Sequence, residues 1–138
     1  MKCDKFLIYQ VILDTNFLLL PFELNVDIIT ELERILEINY EIIIFSEILT
    51  ELENLSDKSS GNLARNIKSA INFSKKIKKI DYFPLKNEKV DDLIIRYAEN
   101  NPCIVATNDK NLKKRLRSKN VPIIFLRKKK YLKLEGTL

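Results

Sequence analysis

VILDTN, Val11–Asn16, is where an apolar run that begins at Ile8 stops on a single carboxylate, Asp14. Thr15 and Asn16 follow, and then a second apolar run, Phe17–Leu20. An apolar run of this length closed by a polar turn reads as a buried strand of a parallel sheet. Asp14 then stands at the strand's carboxyl end, where open α/β sheets gather their ligands. The plainer role is a cap, with Asp14 accepting the first amides of the helix that follows. The stretch alone favours the cap, because capping aspartates are so common.

Working outward, the pattern alternates. Residues 7–13 read as the first strand. Residues 25–39 read as an amphipathic helix, with Ile28, Ile29, Leu32, Ile35 and Leu36 on one stripe and Glu31, Glu33 and Glu37 solvated. Glu41–Phe45 is a second, β-branched strand. Ser46 is placed to cap a helix over 47–56, whose core face is Ile48, Leu49, Leu52 and Leu55. Residues 56–61, SDKSSG, form a loop. Asn62–Ile80 reads as one long helix with Leu63, Ile67, Ala70, Ile71 and Ile77 inward. Tyr82–Leu85 reads as a short edge strand because of Pro84. A helix over 88–100 turns Val90, Leu93, Ile94 and Tyr97 inward. Cys103–Ala106 is a third apolar strand, closed by Thr107-Asn108-Asp109 much as Asp14-Thr15-Asn16 closes the first. A basic helix over 110–119, a strand over Val121–Leu126 and a basic C-terminal tail over 128–138 complete the chain. This alternation argues an α/β fold with a mainly parallel sheet and helices on both faces.

The 138 residues have the length of one domain, residues 1–138, and suffice for a sizeable core. There is no histidine, which excludes Ser-His-Asp, Cys-His and histidine-zinc chemistry. Cys3 and Cys103 make no disulfide framework, and Cys103 reads as a small buried hydrophobe. No stretch is long and apolar enough for a membrane, and MKCDKFLIYQVILD lacks a secretory pattern, so a cytoplasmic location is expected. Charge is uneven. Residues 1–60 hold four basic and twelve acidic side chains, a net of −8, whereas residues 110–138 hold eleven basic and one acidic, a net of +10. An acidic front and a basic back suggest cation binding and polyanion binding in one small fold.

Four acids fall where such a fold collects ligands. Asp14 ends the first strand and Asp109 the third. Glu51 lies in the helix after the second strand. Asp92, with Asp91 beside it, lies in the first turn of the helix before the third strand. Each has an ordinary structural role open to it, Asp91 and Asp92 as first-turn acids that complement the helix dipole. Carboxylates gathered in one cleft repel unless a cation is present. All-oxygen donors suit Mg²⁺ or Mn²⁺. A bound divalent ion, its water and a basic surface nearby are what phosphodiester hydrolysis requires.

ILDTNFLLLPF (Ile12–Phe22), SEILTELENL (Ser46–Leu55), VDDLIIRYA (Val90–Ala98) and IVATNDKNLKKRLRSKNVPIIFLR (Ile104–Arg127) resemble the motifs of PIN-domain ribonucleases. The likeness is strongest to archaeal stand-alone members, VapC-like toxins and Fcf-like nucleases of ribosomal RNA processing, and spans roughly residues 8–136. It implies a three-layer α/β/α sandwich around a mainly parallel sheet of four to five strands, with the first and third strands side by side. It implies Asp14, Glu51, Asp92 and Asp109 as the catalytic metal site, with Asn16, Ser46 and Thr107 orienting the ligands. It implies a Mg²⁺- or Mn²⁺-dependent endoribonuclease acting on single-stranded RNA, an antitoxin partner where a member is a toxin, and the homodimer common in the family.

Two basic helical faces are candidate phosphate contacts, and Arg65, Lys68, Lys113, Lys114 and Arg117 are the expected RNA-binding residues. Few aromatics lie outside apolar runs, so no base-stacking platform is evident. A non-catalytic RNA-binding module of ribosome assembly is the competing reading. Phosphoryl transfer on an aspartate is disfavoured, because no D-x-D follows the first strand and no second acid completes a receiver-type cluster.

Overall fold

The computed structural model of the protein describes residues 7–138. Its strands are β1 (Tyr9–Leu13), β2 (Tyr40–Phe45), β3 (Lys78–Ile80), β4 (Cys103–Ala106), β5 (Ile123–Arg127) and β6 (Tyr131–Glu135). Its helices are α1 (Thr15–Leu24), α2 (Ile28–Ile35), α3 (Ser46–Lys58), α4 (Gly61–Ser74), α5 (Val90–Asn100) and α6 (Lys110–Ser118). The strands make one sheet in the order β3-β2-β1-β4-β5-β6, parallel except for the antiparallel β5–β6 pair. The sheet runs leftward from β1 to β2 and β3, and rightward from β4 to β5. Right-handed crossovers therefore put α1–α4 on one face and α5 and α6 on the other. The packing agrees: α1, α3 and α4 touch one another, and α5 touches α6.

The apolar runs become central strands because both of their faces are covered. Val11, Ile12 and Leu13, then Ile43, Ile44 and Phe45, then Ile104, Val105 and Ala106 are fully buried. Tyr97 on α5 reaches into the sheet, donating its hydroxyl to Gln10 Oε1 and stacking edge-on against Phe45. Cys103 is buried as expected, and burial pushes its thiol up to about 12. Cys3 lies outside the described residues. No helix among them is long and apolar enough to cross a membrane.

The sheet has six strands where four to five were expected, and both additions have local causes. Residues 78–80 read from the sequence as the end of a long helix. In the fold α4 stops at Ser74 and Lys78–Ile80 pair in parallel with Ile43–Phe45. Tyr82–Leu85, expected to be the edge strand, is irregular. The basic tail is also a strand: Ile123–Arg127 pair with Glu135–Tyr131. Its turn carries Lys128 (φ 52) and Lys129 (φ 56) in the left-handed region, where hairpin turns usually place Asn or Gly. A Lys-Lys turn gives no hairpin signal, so nothing local marks the strand behind it.

Strand β6 also explains Glu31. The residue was expected to be solvated, yet it accepts the amide of Leu132 and pairs with Arg34, whose guanidinium donates to the Leu132 carbonyl. The helix over 25–39 is confined to Ile28–Ile35, because Asp27 caps it and Leu36 is already extended. Ile29, Leu55 and Leu63, expected inward, are exposed.

Candidate active site at the carboxyl edge of the sheet

The β1–β4 register sets the geometry. Leu13 pairs with Ala106, so the next residues, Asp14 and Thr107, face each other as the two strands end. The neighbours of β1 depart in opposite directions along the chain, which makes this the topological switch point where α/β sheets open a crevice. Asp14 is 6% exposed. Its Oδ1 accepts the Phe17 amide at 2.7 Å, and its Oδ2 accepts the hydroxyl of Thr107. Asp14 is therefore both the cap of α1 and a carboxylate at the sheet edge. Thr107, fully buried, also accepts the Asp109 amide at 3.1 Å, so one hydroxyl ties the two aspartate turns together. Asp109 caps α6 by accepting the Leu112 amide at 2.9 Å, but its side chain is exposed.

Burial pushes the Asp14 carboxyl up to about 6, against the pull of the Thr107 and Phe17 hydrogen bonds. The charges of Asp91 and Asp109 push the same way. Asp91 is raised too, by burial and then by Asp109, with Arg115 opposing. Asp91 and Asp109 thus both act on Asp14, and Asp109 acts on Asp91.

Asp92 does not join them. Its Oδ2 accepts the Lys89 amide at 3.0 Å, closing the first turn of α5, and its Oδ1 accepts from Arg115 at 2.7 Å. Those two contacts hold its carboxyl below the usual range. Of the adjacent pair, the residue expected at the site is committed elsewhere and Asp91 takes the inward place. A first-turn position three residues after the cap reaches back to the cap amide, whereas the position before it does not. That spacing was readable in Lys89-Val90-Asp91-Asp92.

Glu51 lies half-buried on α3, with no hydrogen bond or ion pair to the three aspartates among the described residues. Ser46 is not a cap: Phe45 holds the N-cap position of α3. Instead its hydroxyl bonds the Ile80 carbonyl at 3.1 Å and Asp81 Oδ1 at 2.5 Å, fastening the ends of β2 and β3. Asn16 is exposed and contacts none of the acids.

The donor set fits a hard cation in kind. The facing atoms are carboxylate oxygens, and no basic side chain neutralises Asp14. The Oγ of Thr15, buried beside Asp14, has no partner among the described residues and is a further oxygen at the head of α1. As folded, no three acidic or cysteine side chains among the described residues are close-set enough to form a finished cage.

The basic candidates separate. Arg65 and Lys68 are exposed on α4. Lys113, Lys114 and Arg117 lie on α6, across the sheet. Lys113 Nζ sits 4.8 Å from the Phe125 ring centroid, and Arg117 is bound bidentate to Glu135 at 2.5 and 3.1 Å. Lys114 is exposed, with no ion pair among the described residues.

The family model for a PIN like domain matches residues 11–129, from the first buried strand through the β5–β6 turn. The chain belongs to the PIN-like domain family. It is 39% identical over 130 residues to Ribonuclease VapC4 of Methanocaldococcus jannaschii, covering 93% of this chain and 98% of that one. The fold matches the solved structure of the PIN domain endonuclease Utp24 with a TM-score of 0.77 and 26% identity, over 94% of this chain and 93% of that one. The PIN-like match ends at residue 129, two residues before β6 begins at Tyr131.

Proposed function

We propose that the protein is a divalent-metal-dependent endoribonuclease that hydrolyses RNA phosphodiester bonds at the β1–β4 edge. The carrying observation is Asp14, buried at the switch point and facing Asp91 and Asp109, in a chain of the PIN-like family. Ionising Asp14 in this setting is costly without a cation, so the edge favours an oxygen-liganded ion, with Mg²⁺ or Mn²⁺ the natural choices. The chemistry such an ion supplies is a water of lowered pKa and relief of charge on the phosphate. Asp14, Asp91 and Asp109 would hold it. Thr107 fixes the orientation of the Asp14 carboxylate and the turn that presents Asp109. Glu51 would complete the set from α3, and Asp92 would keep α5 and α6 in register through Arg115. RNA would approach with its backbone on exposed lysines and arginines, with Lys114, Arg65 and Lys68 available as they stand.

Identity across nearly the full length of a ribonuclease named VapC4 supports the toxin-type role over ribosomal RNA processing. An antitoxin peptide would then cover the acidic edge. The deciding experiment incubates defined single-stranded RNAs with the protein in Mn²⁺, Mg²⁺ or EDTA. Cleavage in either metal, none in EDTA and none by Asp14→Asn is expected. RNA binding without cleavage in any metal would instead mark a non-catalytic module.

A further inference from the structure

The loop 81–89 joins β3 to α5 and crosses the same sheet edge as Asp14. Strands β1–β4 are parallel, so Ile80 ends β3 beside the end of β2, and Val90 opens α5 just ahead of Asp91. The loop is held stiffly for an irregular segment. Arg96 of α5 donates to both Glu88 oxygens at 2.9 Å, to the Tyr82 hydroxyl at 2.6 Å and to the Phe83 carbonyl at 2.9 Å. Leu85 and Glu88 close a turn of their own, the Leu85 amide on Glu88 Oε1 and the Glu88 amide on the Leu85 carbonyl. Tyr82 packs inward against Phe45 and Tyr97.

Its neighbours do the opposite. Phe83 and Leu85 are each 61% exposed, more than any other large hydrophobic side chain described. Isolated apolar residues on a surface are ordinary. Two such residues separated only by Pro84, on a loop pinned by the partly buried Arg96 guanidinium, are not, because nothing in packing requires the ring to face water. Lys86 and Lys89 follow the pair on the same loop, exposed and without ion pairs among the described residues. A rigid exposed aromatic face with free lysines farther along the same loop is the pattern that receives an unpaired base and its phosphates.

We propose that Phe83 is a base-stacking residue for single-stranded RNA, with Lys86 and Lys89 holding the flanking phosphates as the strand enters the acidic edge. This rests on the reading of the protein as a ribonuclease. Phe83 acts as a specificity and positioning residue, binding a nucleotide beside the scissile bond.

The test is binding of a labelled single-stranded RNA in EDTA, where cleavage is absent, followed by cleavage kinetics in Mn²⁺. Phe83→Ala should weaken binding about ten-fold or more, and Phe83→Trp should restore it. The salt slope should stay unchanged in Phe83→Ala but flatten by about 0.7 in Lys86→Ala, as for one lost phosphate contact. In cleavage, Phe83→Ala should raise KM and leave kcat near wild type. Because the ring is exposed, circular dichroism of the variant should match wild type. Wild-type affinity in Phe83→Ala would overturn the proposal and leave the apolar pair as a protein contact. A wild-type chain that binds RNA through Phe83 but cleaves none would instead sink the nuclease reading and leave the stacking role standing.

Discussion

The β1–α1 and β4–α6 junctions are built alike and behave differently. Both end a buried parallel strand, and both cap the next helix with an aspartate that accepts an amide three residues on. In DTN the acid is the first residue past the strand; in TND it is the third. That offset of two residues leaves Asp14 at the sheet end under α1, whereas Asp109 clears the edge into solvent. Thr107 occupies the place opposite Asp14 and bonds it. One junction therefore supplies a buried, poorly solvated carboxylate, and the other an exposed one aimed at the same space. A metal site gains from both, a fixed anchor and a ligand free to adjust.

Asp14→Asn breaks the comparison most severely. It should cut cleavage by more than about a hundred-fold, beyond the usual loss for an outer-shell partner. The fold should survive, because asparagine also caps helices. The same variant tests the buried charge. A carboxyl raised from 3.8 to about 6 binds its proton more tightly when folded. Its penalty is absent below pH 4, grows between pH 4 and 6, and is full above that, at about 3 kcal/mol without a cation. Metal-free Asp14→Asn should therefore be the more stable protein at pH 7 and lose that advantage by pH 4 in urea denaturation. Added Mn²⁺ should raise the melting temperature of the wild type and not of the variant.

Asp91→Asn and Asp92→Asn set neighbours against each other. Asp91→Asn should abolish most metal-stimulated cleavage. Asp92→Asn should keep most of it and leave the urea denaturation midpoint close to wild type, since the lost ion pair is partly exposed and the cap amide can bond asparagine. Reversed activities would return Asp92 to the site. Thr107→Val removes the tie between the junctions. It should cost about 1–3 kcal/mol, and activity should fall about 10–100-fold. The smallest effect belongs to Arg117→Ala, which breaks an exposed pair with Glu135 and should leave the melting temperature indistinguishable from wild type.

Local chemistry made much of this legible. Strands buried on both faces announce themselves as unbroken apolar runs, so β1, β2 and β4 appear nearly in full. Helices with a single stripe appear too, though their ends drift. The weak points are edges. Strand β3, three residues long with two exposed lysines, looks like the end of a basic helix because an edge strand needs no apolar alternation. Strand β6 hides behind a Lys-Lys turn and shows itself only through its pairing with β5 and its grip on Glu31.

The sequence by itself determined the parallel α/β core, the two strand-end aspartates and the absence of histidine chemistry, because strand burial and side-chain type are local properties. Tertiary structure alone decided that Arg115 engages Asp92, that Thr107 joins the two junctions, and that Phe83 stands in solvent. Each of these depends on contacts between segments remote in the chain: the β1–β4 register, the α5–α6 ion pair and the Arg96 anchor on the loop 81–89. No pattern of neighbouring residues encodes them.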